Sequence, residues 1–191
     1  VSLIPSAVAG IPIWALTGSK NEARNFATSV FADVSSALIG LNLVVRGEYY
    51  LWEQRPAVFV FNHQSKVDVV IMAKLLRKDI AGVGKKEIKQ MPLIGKTLEL
   101  AGTIFIDREN SHSAIEAMKP LVDAMRHQGK SVAIAPEGTR SITPKLAAFK
   151  KGPFHLAMQA GVPIVPVVIH NAGDVAPKGD FVFRQATVEV D

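Results

Sequence analysis

The sequence predicts an α/β fold: a mixed, mostly parallel sheet flanked by helices, preceded by an apolar helical segment that associates with a membrane. Three observations carry this expectation. Short β-branched and aromatic runs at Val58–Phe61, Thr103–Ile106, Ser131–Ala135 and Val162–Ile169 alternate with stretches of helical periodicity. The 191 residues are 48% hydrophobic and 20% charged, which suits one globular core. No charged residue occurs before Lys20.

The uncharged stretch Val1–Ser19 borders on the length of a membrane span, but Pro5, Gly10, Pro12 and Gly18 interrupt it, so a segment on or dipping into the membrane surface is expected instead. Without a basic region ahead of the apolar part, it does not read as a signal peptide. From Asn21 to Val45, Phe26, Val30, Val34, Leu38, Leu41 and Val45 recur at spacings of three and four, predicting one amphipathic helix. Its other face, with Ala27, Phe31, Ala37 and Ile39, is also apolar, and the two segments together read as a hairpin at a bilayer interface. Packing of these faces within the protein is the competing reading. The division expected is 1–45 as the apolar helical segment and 46–191 as the domain holding the strands.

Pro56–Phe61 reads as a buried strand and Val69–Leu76 as the helix after it. Ile80–Gly84 leads into the charged cluster Lys85-Lys86-Glu87. A helix opening at Pro92 should stop near Gly102, and Thr103–Ile106 forms the next strand. Ser113 with Glu116 has the spacing of a capping box, predicting a helix from Ser113 to His127 closed by Gly129. Ser131–Ala135 is a strand ending at Pro136-Glu137-Gly138-Thr139-Arg140. Phe154–Ala160 reads as a short helix with Pro153 in its first turn and Gly161 just past its end. Pro163 and Pro166 assign the following strand to an edge or irregular position. Val1 in place of Met, and the strand-like Ala186–Asp191 at the other end, suggest a fragment of a longer chain, with a further fused domain outside it.

Composition narrows the chemistry. Absence of Cys removes disulfides, thiolate metal sites and a Cys nucleophile. The formal charge of +5 and pI near 9.5 point to an anionic partner. Basic residues are not interleaved with aromatic ones, so no nucleic-acid partner is expected. His112, His127, His155 and His170 lack metal-ligand spacing, and neither a nucleophile elbow nor a phosphate-binding glycine loop occurs.

His63 and Asp68 are the strongest candidates for chemistry. A carboxylate beside an imidazole fixes its tautomer and stabilises the imidazolium formed when the ring takes a proton. On a continuous helix, residues five apart point about 140° away from each other, so the pair can meet only if His63 precedes the helix. Alternatively, Ser65 and Asp68 form a capping box and His63 sits in a turn. Arg108 and Glu137-Gly138-Thr139-Arg140 both follow strands, where arginines can converge on a phosphate. Equally, Glu137 could lock a loop, and Gly138 suits either outcome.

Four blocks in order resemble the glycerophospholipid acyltransferase family, which includes the lysophosphatidic acid acyltransferases. Asn62-His63-Gln64-Ser65-Lys66-Val67-Asp68 is similar to its His-x4-Asp motif, and Gly102–Arg108 to its second block. Pro136–Ser141 resembles the third, with Ala135 where a larger residue often stands, and Val162–Val167 the proline-centred fourth. Phe149-Lys150-Lys151-Gly152 and Lys85-Lys86-Glu87 also resemble its connecting segments. The resemblance implies His63 as general base with Asp68 orienting it. It implies that Arg108, Glu137, Gly138, Thr139 and Arg140 shape an acceptor-phosphate site, with Lys85 and Lys86 near the oxyanion or donor.

The implied reaction moves an acyl group from acyl-CoA or acyl carrier protein to the sn-2 hydroxyl of lysophosphatidic acid, without metal or redox cofactor. The implied location is the cytoplasmic face of the cell membrane, held peripherally or monotopically on the phospholipid surface. Another lysophospholipid, glycerol 3-phosphate or a glycolipid could be the acceptor instead, and a non-catalytic lipid-binding module is the alternative outside enzymes.

Overall fold

A computed structural model describes residues 3–92, 94–107, 111–141, 143, 145–176 and 182–191. In chain order the elements are α1 (Leu3–Thr17), α2 (Lys20–Leu38), β1 (Leu41–Val45), α3 (Tyr50–Glu53), β2 (Val58–Phe61), α4 (Asp68–Leu76), β3 (Ile80–Lys85) and α5 (Lys86–Lys89). They continue as α6 (Ile94–Leu100), β4 (Ile104–Ile106), α7 (Ser111–Gln128), β5 (Ser131–Ile134), α8 (Gly152–Ala160), β6 (Ile164–Val167), α9 (Ala172–Val175) and β7 (Ala186–Val190). Among the described residues, β4-β3-β5-β2-β6 form a five-stranded sheet and β1-β7 a two-stranded one. Every strand pair runs parallel. Pro166 lies in β6, on the sheet's edge, where its missing N–H group is tolerated, and Pro163 just precedes that strand.

The alternation of β2 explains the layers. Val58 belongs to a core formed with Val132, Ile134, Leu121, Met125 and Leu156, under α7 and α8. Phe59 and Phe61 point the other way, into a core with Ile71, Leu75 and Leu76 of α4 and Val188 and Val190 of β7. Helices therefore cover both faces, and β2 is sandwiched between β5 and β6.

Three sequence expectations need correction. The helix expected to reach Val45 ends at Leu38, and Leu41–Val45 forms a strand in register with Ala186–Val190. Gly40 takes φ +63°, which stops the helix; the apolar spacing of Leu41 and Val45 continued the helical pattern only by coincidence. Ile80–Lys85 is a full strand between β4 and β5, although Gly82 and Gly84 weaken its sequence signal. The helix expected from Ser113 starts at Ser111, so its capping box would fall inside the first turn. By contrast Gly161 ends α8 in the left-handed conformation, as expected.

No helix among the described residues is long and apolar enough to cross a membrane. Instead α1 and α2 form a hairpin so close that a Cβ on Gly10 would lie 2.6 Å from the Ala23 carbonyl oxygen. Polar contacts tie the hairpin to the domain, two of them through aspartates. Asp33 bonds Lys74 Nζ (3.0 Å) and Arg77 (2.9 Å), and Asp79 Oδ1 accepts from Asn21 (2.6 Å) and Asn25 (3.2 Å). The hairpin leaves Val8, Ile11, Trp14, Leu16 and Leu38 exposed, with Leu16 at 84%.

Candidate active site

The chain leaves β2 at Phe61 and enters α4 at Asp68, and the intervening turn folds back on the first residue of the helix. Asp68 is fully buried, and its Oδ2 accepts three hydrogen bonds: from the Gln64 N–H (2.8 Å), the Ser65 N–H (2.9 Å) and His63 Nδ1 (2.8 Å). A carboxylate only accepts, so Nδ1 carries the ring proton and Nε2 is left with its lone pair. The imidazole side chain is 18% exposed, edge-on to Phe61 with centroids 5.8 Å apart. This is the arrangement of a general base held in one tautomer.

The capping-box alternative is half realised. Asp68 does accept from the Ser65 N–H, but Ser65 Oγ caps nothing: it donates to the Ala176 carbonyl (2.7 Å) and accepts from the Val67 N–H (3.3 Å). Asp68 thus holds the turn and the imidazole with one oxygen, at a helix N-terminus that favours its charge.

Glu137, three residues past the end of β5, is 4% exposed and spends both oxygens on backbone: Oε1 accepts from the His63 N–H (2.9 Å) and Oε2 from the Ala147 N–H (2.8 Å). The Ser141 N–H donates to the His63 carbonyl at 2.7 Å, so the 137–141 loop grips His63 on both sides of its backbone. Gly138 takes φ +72°, and a Cβ there would come within 3.0 Å of the Lys150 side chain. Thr139 is exposed and Arg140 half-buried in the same loop. Arg108, the other arginine singled out in the sequence, lies outside the described residues. Lys85 closes β3, two strands from β2, and Lys86 opens α5; Lys85 pairs with Glu87 (3.4 Å) and Lys86 with Asp107.

Two positioning residues escaped the sequence reading. The Asn62 amide makes a pair of hydrogen bonds to the Ile169 backbone, donating to its carbonyl (2.8 Å) and accepting from its N–H (2.7 Å), which pins the His63 turn to the segment after β6. Ser65 Oγ pins the same turn to the end of α9. Asn62 beside a candidate histidine at a strand end was the available signal, but its partner is 107 residues away. An apolar cavity of about 460 Å³ lies between the hairpin and α4, α6 and β3, lined by Ala7, Ile11, Phe31, Val69, Ala73 and Leu98 among others. No three His, Asp or Glu side chains among the described residues gather to hold a metal ion.

Residues 42–170, most of the chain and all of this site, match the family model described as Acyltransferase. The chain belongs to the acyltransferase family. Members similar to it include the 1-acyl-sn-glycerol-3-phosphate acyltransferase of Saccharomyces cerevisiae, 34% identical over 85% of this chain and 54% of the relative. The human alpha enzyme of that name is 34% identical over 96% of this chain and 65% of the relative, and the human beta enzyme 38% over 79% and 54%. The chain therefore spans about half to two thirds of the length of these acyltransferases. Its fold matches the crystal structure of the 1-acyl-sn-glycerophosphate (LPA) acyltransferase PlsC from Thermotoga maritima, with a TM-score of 0.76 at 22% identity, over 95% of this chain and 73% of that one.

Because Glu137 accepts from two backbone N–H groups, Glu137→Ala should lower unfolding stability by about 1–3 kcal/mol. Amide hydrogen exchange at His63 and Ala147 should speed up in the folded variant; unchanged exchange at both would show that the loop is held by other contacts.

Proposed function

We propose that the chain transfers a fatty acyl group from acyl-CoA or acyl carrier protein to the sn-2 hydroxyl of lysophosphatidic acid, giving phosphatidic acid. The observation that carries this reading is the His63–Asp68 pair, with Nδ1 occupied by a buried carboxylate and Nε2 left as a base. Nε2 takes the proton of the acceptor hydroxyl as its oxygen attacks the thioester carbonyl. The tetrahedral intermediate collapses with cleavage of the C–S bond, and the proton passes from the imidazolium to the departing thiolate. Asp68 stabilises the imidazolium between these steps. No enzyme nucleophile, metal or redox group enters the sequence of steps.

Arg140 and Arg108, with the Gly138-Thr139 backbone, are assigned to the acceptor phosphate, and Glu137 to the shape of that loop. Lys85 and Lys86 are assigned to the donor or to the oxyanion, together with backbone N–H groups. The apolar cavity beside the hairpin falls in the size range of ligand sites and suits an alkyl chain. Within this reading 46–191 is the catalytic domain, and α1–α2 associates with the phospholipid surface on the cytoplasmic side.

An assay of thiol release over an acceptor panel tests the chemistry. With lysophosphatidic acid, His63→Ala should lower kcat by about 10²- to 10⁴-fold. Arg140→Ala should raise the KM for phosphate-bearing acceptors while leaving the thioester KM near normal. Retained turnover in folded His63→Ala would refute the mechanism, and faster turnover of glycerol 3-phosphate, another lysophospholipid or a glycolipid would reassign the acceptor.

For the membrane contact, Trp14 is half exposed on α1. In a Trp52→Phe background, which leaves Trp14 as the one tryptophan, its emission, excited selectively at the red edge of the indole band, should shift to the blue on adding phospholipid vesicles. Emission unchanged at saturating lipid would remove α1 from the interface.

A further inference from the structure

Arg24 of α2 and Lys130, in the turn between α7 and β5, face one cavity of about 510 Å³. Its wall includes Gly102 and Thr103 ahead of β4, and Ile80 at the start of β3. All these positions lie at the strands' starting ends. His63 follows the finishing end of β2 in a parallel sheet, so the cavity's Arg24–Lys130 end is at the opposite edge from the base.

The cations of this cavity differ in how they are neutralised. Lys86 is paired with Asp107, and Lys89 with Glu99 at 3.1 Å. Arg24 and Lys130 have only neutral acceptors: Arg24 Nε donates to the Leu100 carbonyl (2.9 Å) and Lys130 Nζ to Asn21 Oδ1 (2.9 Å). Neither makes an ion pair among the described residues. Burial, and after it the charge of Arg24, hold the Lys130 ammonium below its usual pKa, with Asp79 offsetting part of this. Two like charges held together in a half-buried place cost free energy, and an anion between them recovers it. Each also keeps N–H donors beyond the one used, and a guanidinium fork beside an ammonium matches the oxygens of a phosphate.

We propose that Arg24 and Lys130 form a second anion site that binds a phosphate group, separate from the acceptor site beside His63. Its ligand is either free phosphate or the phosphate of a lipid headgroup. The structure favours the lipid, because Arg24, Ile80 and Thr103 also line the apolar cavity under the hairpin, so a phosphate at Arg24 has an alkyl-sized space next to it. The site stands whether or not His63 is the catalytic base.

The test is a solution NMR titration of the full chain, following the backbone amides of Gly102, Thr103 and Lys130. The two probes are inorganic phosphate and a short-chain lysophosphatidylglycerol below its micelle concentration. Saturable shifts are expected, weaker by at least about tenfold in R24Q/K130Q, whose glutamines keep a donor for Leu100 and Asn21 but lose the charges. Lys130→Arg should retain binding, Lys119→Gln on α7 is the single-charge control for Lys130→Gln, and Arg140→Ala should leave these shifts in place. Tighter binding of the lysolipid identifies a headgroup site, and equal binding a free-phosphate site. Absence of saturable shifts with both probes overturns the proposal, as does wild-type affinity in R24Q/K130Q. Should the double variant not fold, Lys130→Gln alone is read by the same criteria.

Discussion

The structure around the site depends on one buried carboxylate. Asp68 has no exposure to water, and an ionised group in that position is tolerable only if donors replace its hydration. Its Oδ2 gathers two backbone N–H groups and the imidazole, while Oδ1 is buried with no partner among the described residues. The turn therefore closes onto a single oxygen. Remove that acceptor and three donors lose their partner together, so the conformation of the turn and the tautomer of His63 are one property.

What surrounds this centre serves to fix it. Glu137 holds the His63 N–H, Ser141 holds its carbonyl, Asn62 fastens the preceding residue to Ile169, and Ser65 reaches Ala176. Three separate chain segments, the 137–141 loop, Ile169 and Ala176, thus converge on the six-residue turn 62–67. The same helix that begins with Asp68 carries Lys74 near its end, and Arg77 directly follows; both grip Asp33 of α2, whose carboxyl is held below its usual pKa first by Arg77 and then by Lys74. The hairpin proposed to meet the membrane and the base proposed to act on a lipid hydroxyl are consequently anchored to a single helix.

Much of this was legible in the chain. Val58–Phe61 and Val69–Leu76 announce a strand and a helix by composition and period, Pro163 and Pro166 place β6 at an edge, and Gly161 marks the end of α8. The sequence distance between His63 and Asp68 was ambiguous alone, since the same residues read as a helix cap. Other features were hidden because their cause is remote. Leu41–Val45 keeps a helical spacing and becomes a strand only because Gly40 breaks the helix and Ala186–Val190 offers a partner. The glycines of β3 suppress a strand signal that its two neighbours restore. Asn62 and Glu137 look like polar loop residues until the chain brings Ile169 and Ala147 beside them. Local rules read elements well, and say little about which loops meet.

The central claim is that Asp68 holds His63 with its proton on Nδ1 and its lone pair on Nε2. Nitrogen-15 NMR of the His63 side chain, compared between the native chain and Asp68→Asn, tests it most directly. The account predicts a protonated Nδ1 and a bare Nε2 in the native chain at neutral pH, with that preference lost in the variant. A native ring protonated on Nε2, or a tautomer indifferent to Asp68, would contradict it.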